Sequence, residues 1–305
     1  MNEFISFEKR NELAYKFKSE VISELIETDH INFYNNELIL CSCNHHYPNS
    51  SYYYKGINEF IHYTSAETAL NILKFKNLRL YSLLGQSDLT EFEYASQILK
   101  IEESEIIQAK PLLFILCLCE PSSLSKITMF REYGDRTKGI AIRLRIKNDP
   151  LKWSSFHLSN VYYKMDPRFE KYQLAKVKFE NKYKQKFNLK LNRFLGFYKS
   201  PAFSDEKEIR LLYYCTQEGL IPNPKNRIFK DDNNREFVSI PINKDVTEEN
   251  ESIQYAYGMS PIFEVTEIIK GPNFENPEVL KELLAINPNM KISESELKGL
   301  YKENS

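Results

Sequence analysis

Glycine is scarce in this chain, with 9 residues in 305. No glycine-rich turn joins a strand to a helix, which excludes the phosphate loop of nucleotide-binding α/β folds. Charge of one sign is missing as well: 41 basic against 42 acidic residues leave a net charge of −1. A dedicated nucleic-acid binder normally carries a basic domain. That class is therefore disfavoured, which leaves open a nucleic acid as the acceptor of a transferred group. Five cysteines, Cys41, Cys43, Cys117, Cys119 and Cys215, are an odd number in a large chain and fit reduced thiols rather than a disulfide framework. No run of ~20 apolar residues exists, and Met1 to Glu27 is charged throughout with no apolar leader core. The expectation is a cytoplasmic protein with no membrane partner.

What is present is an aromatic-rich globular composition, with 42% hydrophobic and 27% charged residues, 20 Tyr and 20 Phe. The most informative stretch is Phe203 to Tyr214 (FSDEKEIRLLYY). It reads as a strand with Glu206, Glu208 and Arg210 on one face and Ile209, Leu211 and Tyr213 on the other, because side chains alternate along a strand. Two carboxylates and a guanidinium at the mouth of a buried strand are costly unless they pair or act on something. The plain reading is an ion pair on a sheet face.

A second segment raises the functional reading. Ile57 to Tyr63 reads as a strand. Thr64 then fits a helix N-cap, with Glu67 completing a capping box and Ala66, Ala69, Leu70 and Leu73 at helical spacing up to Lys76. His62 thus falls at a strand end beside a helix N-terminus whose free amides favour anions. Leu78 to Ser82 is strand-like again. Leu112 to Cys119 (LLFILCLC) marks a strand buried on both faces, in which Cys117 and Cys119 are most simply small core residues. A short helical stretch leads to Phe130-Arg131-Glu132-Tyr133-Gly134-Asp135, and Gly139 to Ile146 alternates with Ile140, Ile142, Leu144 and Ile146 inward.

Taken in order, the His62-Tyr63-Thr64 strand end, the Phe130 to Asp135 segment, Lys138-Gly139-Ile140-Ala141-Ile142, and Glu206-Lys207-Glu208-Ile209-Arg210 resemble a family of largely uncharacterised bacterial proteins. That family opens on an "HYT" motif, carries a middle aromatic-x-x-Tyr-Gly motif, closes on "E-x-E-x-R", and is grouped with the ADP-ribosyltransferase-like superfamily. The resemblance spans roughly residues 57–275, and this chain departs from it in having Phe130 where the middle motif often has Trp. It implies NAD as substrate, with ADP-ribosyl transfer to a protein or nucleic-acid acceptor. A toxin or anti-phage effector with a regulatory or antitoxin partner is the implied setting. It places Glu208 as the carboxylate that stabilises the oxocarbenium-like ribose and Glu206 facing the acceptor. His62, Tyr63, Thr64, Tyr133 and, more weakly, Arg79 would contact NAD, Tyr133 by stacking on nicotinamide. The alternatives are an NAD glycohydrolase, or a catalytically inactive module of the same fold that binds a nucleotide or a partner. In the inactive case Glu206, Glu208 and Arg210 are a structural ion network.

The remaining organisation follows from pattern. Residues 1–56 read as an N-terminal extension with a helix from Phe7 to Ile26 and a strand from Glu37 to Ser42. Residues 57–275 form the core, with a lysine-rich helical insertion at about 166–198. Asn223 to Arg235 read as a long loop, and 276–305 as C-terminal helices at Pro277 to Ala285 and near Glu294 to Lys302. Cys41-Ser42-Cys43-Asn44-His45-His46 invites a metal reading, but the ligand spacing is poor and a strand end with a polar turn is preferred. The fold expectation is α+β: a split, mostly antiparallel sheet around an NAD-type cleft with flanking helices.

Overall fold

The computed structural model describes residues 6–27, 31–34, 37–40, 44–47, 49–50, 52–85, 89–215, 228–242 and 259–299. Its centre is β5 (Leu113–Cys119), which pairs antiparallel along its whole length with β9 (Glu208–Tyr214). On its other edge β5 takes two partners in turn. β4 (Asn77–Ser82) pairs at Phe114 and Ile115, and β3 (Phe60–Thr64) pairs at Cys119. Between these pairings residues 116–118 have no strand partner on that edge, so the sheet splits there.

Each branch extends antiparallel from the split. One runs from β3 to β6 (Ile140–Ile146) and β12 (Phe263–Lys270); the other runs from β4 to β11 (Glu236–Pro241) and β10 (Ile228–Lys230). β7 (Phe156–Asn160) covers the free edge of β9. The expected α+β architecture with a mostly antiparallel sheet is present.

Helices cover both faces because the strands are apolar on both. The alternating face of β6 (Ile140, Ile142, Leu144, Ile146) packs with Leu78, Leu80, Ile209 and Leu211 beneath α2 (Ala66–Phe75) and α7 (Pro277–Ile286). α2 presents Ala66, Ala69, Ile72 and Leu73 to this core and closes on Lys76 in the left-handed conformation. Burying one such leucine is worth ~1.5–3 kcal/mol. The opposite core gathers Leu113, Ile115 and Leu212 of the sheet with α1 (Phe7–Glu20), α3 (Leu89–Leu99), α4 (Glu103–Ala109) and α6 (Pro167–Tyr183). Phe17 of α1 meets Phe179 of α6 edge-on at 5.1 Å, so the N-terminal segment shares a core with the sheet. A third small cluster joins Ile61, Tyr63 and Cys119 to Met129 and Phe130 of α5 (Ile127–Tyr133).

Several local expectations are corrected. The first helix stops at Glu20, because Val21 leaves helical geometry before a 3₁₀ turn at Ile22–Glu24. Strand β2 is Glu37–Leu40; it pairs with β1 (Ile31–Tyr34) and with β8 (Asn188–Leu189), while Cys41 to Cys43 lie outside the described residues. The insertion is helical only to Tyr183. Lys184 turns left-handed, β8 follows, and residues Asn192–Phe197 form a buried 3₁₀ segment. Part of the supposed 223–235 loop is β10, which pairs with β11 in a hairpin; residues 223–227 lie outside the described residues. No helix begins at Glu294: Ile292–Glu294 is β13, parallel to β12, and the turn after it runs to residue 299. Among the described residues no helix is long and apolar enough to cross a membrane.

The loop after α5 is strained. Asp135, Arg136 and Thr137 all take positive φ (48°, 52° and 76°), a conformation that L residues rarely adopt. It is held by Thr137 N–H bonding to Phe130 O at 3.0 Å, and by Asn273, whose side-chain amide donates to Thr137 Oγ1 at 2.9 Å. Gly139 makes this closure sterically feasible, since a Cβ there would lie 2.3 Å from the Thr64 carbonyl oxygen. Gly139→Ala is expected to lose roughly 2–3 kcal/mol of stability in denaturant titrations, because backbone rather than a flexible side chain must move.

Candidate functional site

The site is built at the split. Where β3 and β4 part, a cleft of about 830 Å³ opens, lined by His62, Thr64 and Ser65 at the end of β3, Thr68 and Asn71 of α2, Arg79 and Tyr81 of β4, Cys117 of β5 and Tyr133 of α5. Tyr63 borders it too, but its ring packs edge-on against Phe130 at 5.0 Å and its hydroxyl bonds Ser123 at 2.9 Å. All five NAD contacts expected from sequence, His62, Tyr63, Thr64, Arg79 and Tyr133, border this one cleft, with Tyr63 and Thr64 largely buried. The Tyr63 ring packs into the small core beside the cleft.

His62 occupies the place of a missing ladder bond. Its Nδ1 lies 3.0 Å from the Cys117 carbonyl, which the split leaves without a strand partner. A carbonyl only accepts, so Nδ1 carries the proton and Nε2 presents a lone pair. Burial at the cleft floor holds this imidazole below its ordinary pKa, opposed by the bond to Cys117, so neutral histidine is favoured.

The helix cap is displaced by one residue from the sequence expectation. Ser65, not Thr64, is the N-cap of α2: its Oγ accepts from Thr68 N at 3.1 Å and bonds Thr68 Oγ1 at 2.9 Å. The registry of β3 with β6 runs one residue further, to Thr64 opposite Ile140, and that pairing keeps Thr64 in the strand.

The acidic pair has a different geometry from the one expected. Glu206 is not on β9; it ends a 3₁₀ turn at Pro201–Glu206, and Lys207 takes a left-handed conformation before the strand begins at Glu208. That turn, rather than strand alternation, brings both carboxylates onto Lys199. Its Nζ lies 2.7 Å from Glu206 Oε2 and 3.3 Å from Glu208 Oε2. Arg210 grips Glu208 in a fork, with Nε to Oε1 at 2.7 Å and Nη2 to Oε2 at 3.0 Å, and also donates to Gly196 O at 2.8 Å. Glu208, Arg210 and Lys199 are 4%, 2% and 6% exposed. Burial raises the Glu208 pKa, but Arg210 first and then Lys199 outweigh it and hold the carboxyl at about 2.

Neither Glu206 nor Glu208 lines the cleft. They meet it through two intermediaries. The Tyr133 hydroxyl, on a side chain 41% exposed, donates to Glu206 Oε1 at 2.5 Å. Desolvation and then this bond to a carboxylate raise the tyrosine pKa. The second intermediary is Cys117, expected in the core yet exposed to the cleft. Desolvation within the cleft, followed by the neighbouring Glu208 carboxylate, pushes its thiol pKa up. Cys119 is buried as expected.

Sequence pattern alone missed Lys199, because nothing in its neighbours signals that two acids seven and nine residues later will fold back onto it. Cys117 was missed because an unbroken apolar run carries no mark of a gap beside it. Among the described residues no group of three or more His, Cys, Asp or Glu is arranged to hold a metal ion.

A family model described as protein of unknown function (DUF2971) matches residues 129–211. The match begins in α5, ends inside β9, and contains Tyr133, Lys199, Glu206, Glu208 and Arg210. No curated protein and no solved structure matches the chain.

Removing the Glu208 charge leaves Arg210 and Lys199 buried without it, so Glu208→Gln is expected to lose about 3–5 kcal/mol at pH 7. The folded carboxyl titrates below its ordinary value of 4.5, so its contribution is complete above that pH and lost as pH falls toward about 2. Denaturant titrations at pH 7 and pH 3 should therefore show the deficit of Glu208→Gln shrinking in acid.

Proposed function

We propose that the cleft binds NAD and that the protein transfers its ADP-ribosyl group to a macromolecular acceptor. The bond between ribose C1′ and nicotinamide nitrogen breaks, nicotinamide leaves with the electron pair, and an acceptor nucleophile bonds C1′ and gives up its proton. With water as acceptor the products are ADP-ribose and nicotinamide. One observation carries the reading: His62, Thr64, Arg79 and Tyr133 face a single cleft of dinucleotide-binding size, and the paired carboxylates lie directly behind Tyr133.

In this reading Tyr133 stacks on nicotinamide, and the Nε2 lone pair of His62 accepts a ribose hydroxyl. The negative charge of Glu208 stabilises the positive charge that develops on the ribose, and Glu206 faces the acceptor. An enzyme of this kind suits a toxin or an anti-phage effector restrained by a partner.

A second reading is favoured by the saturation of Glu208. Arg210 and Lys199 already occupy both of its oxygens, as expected of a structural network in a nucleotide- or partner-binding module.

Nicotinamide release from NAD, with and without cell lysate, separates the readings. Release that requires lysate is the expected result and marks transfer; release without lysate marks a glycohydrolase. Glu206→Gln and Tyr133→Phe keep the Arg210–Glu208 pair and test the acceptor side and the hydroxyl. A folded Glu208→Gln variant is expected to be ~10²–10³-fold slower. No release, with NAD still raising the melting temperature, selects the binding module.

A further inference from the structure

The two ends of the cleft differ in how their charges are paired: at the Tyr133 end Lys199 bridges Glu206 and Glu208, and Arg210 grips Glu208. At the inner end Tyr133 is bonded to Glu206, with Glu208 behind it. Arg79 and Arg235 line the other branch together with Asp231 and Asp232, and each arginine lies over an aromatic ring. The Arg79 guanidinium carbon lies 4.4 Å from the Phe237 ring centre, and that of Arg235 lies 4.6 Å from the Tyr81 ring centre. Tyr81 and Phe237 are themselves cross-strand partners, with ring centres 5.9 Å apart. The result is a continuous row of guanidinium, ring, ring and guanidinium along β4 and β11.

The arginines are not equivalent. Asp231 neutralises Arg235, at 2.7 Å from its Nη2 and 2.9 Å from its Nε. Among the described residues Arg79 forms no ion pair or side-chain hydrogen bond; its one contact of this kind is with the Phe237 ring. A guanidinium placed over a ring without an ion-pair partner can present its N–H groups to phosphate oxygens. Charge then orders the ligand. The diphosphate suits the end where Arg79 has no ion-pair partner among the described residues, which leaves the nicotinamide ring for the Tyr133 end.

We propose that the β4–β11 side of the cleft is the subsite for the adenosine diphosphate end of the dinucleotide. Its diphosphate lies on Arg79 and its base on the Tyr81–Arg235 side of the row. This rests on the reading of the cleft as an NAD site, and it assigns the direction in which NAD lies.

The test is calorimetric titration of wild type, Arg79→Ala, Arg79→Lys and Tyr133→Ala with NAD and with ADP. Expected is ADP binding that competes with NAD. Arg79→Ala weakens both ligands about tenfold or more, because a charge-assisted fork is lost. Tyr133→Ala weakens NAD and leaves ADP unchanged. Arg79→Lys keeps the charge and the aliphatic stem, so it serves if the alanine variant melts early, and it is expected to bind ADP between wild type and alanine. NAD binding without ADP binding, or ADP binding that depends on Tyr133 and not on Arg79, overturns the assigned direction and leaves the NAD reading standing. ADP binding through Arg79 without NAD binding supports the subsite and overturns the NAD reading. Binding of neither overturns both.

Discussion

The structure depends on the unequal use of the two edges of β5. One edge is paired with β9 from end to end; the other is shared by β4 and β3, with a gap of three residues between them. A backbone carbonyl stranded in such a gap must find another donor, since an unpaired buried polar group is destabilising by about as much as a lost hydrogen bond. His62 supplies it. The same bond sets the imidazole tautomer and ties β3 to β5 beside the cleft. Topology, side-chain chemistry and the site are here one constraint.

The buried charges behind the cleft solve a second problem. Glu208 opens a strand buried in all but its last residue, and an isolated carboxylate could not be held there charged. Arg210 and Lys199 make it tolerable, and Gly196 O and the Tyr163 hydroxyl bond the flanking groups. The network ties the strand start to the 3₁₀ segment at Asn192–Phe197 and, through Glu206, to Tyr133. Tyr133 in turn is followed, after Gly134, by the three left-handed residues Asp135 to Thr137, whose strain is sustained by the Thr137 N–H donating to the Phe130 carbonyl and by Asn273 donating to Thr137 Oγ1. Strain of this kind, of order 1–3 kcal/mol per residue, persists only where the surroundings over-determine it. It sits beside Tyr133, one of the two side chains that join the cleft to the acids.

Much of this frame was legible in the sequence because it is written in local periodicity. The alternation in Ile140 to Ile146, the unbroken apolar run of β5 and the spacing of Ala66, Ala69 and Leu73 in α2 each predict their element and its buried face. His62, Thr64, Arg79 and Tyr133 were legible as a group, and the structure places all four on one cleft. What failed depends on distant partners. Glu206 and Glu208 look like neighbours on a strand face, but the left-handed turn at Lys207 has no signature in lysine. Asn192 to Phe197 resembles helix by composition, yet it is folded tight beneath β5 and β9. Ile292 to Glu294 becomes a strand only because the edge of β12 is there to receive it.

The central claim, that the split in the sheet is an NAD site, is tested most directly by amide hydrogen exchange with and without NAD. The account predicts slower exchange in residues 62–71, 77–81 and 115–117, which border the cleft, and no change in 263–270, which do not. Unchanged exchange throughout at saturating NAD, or protection confined to strands away from the split, would contradict it.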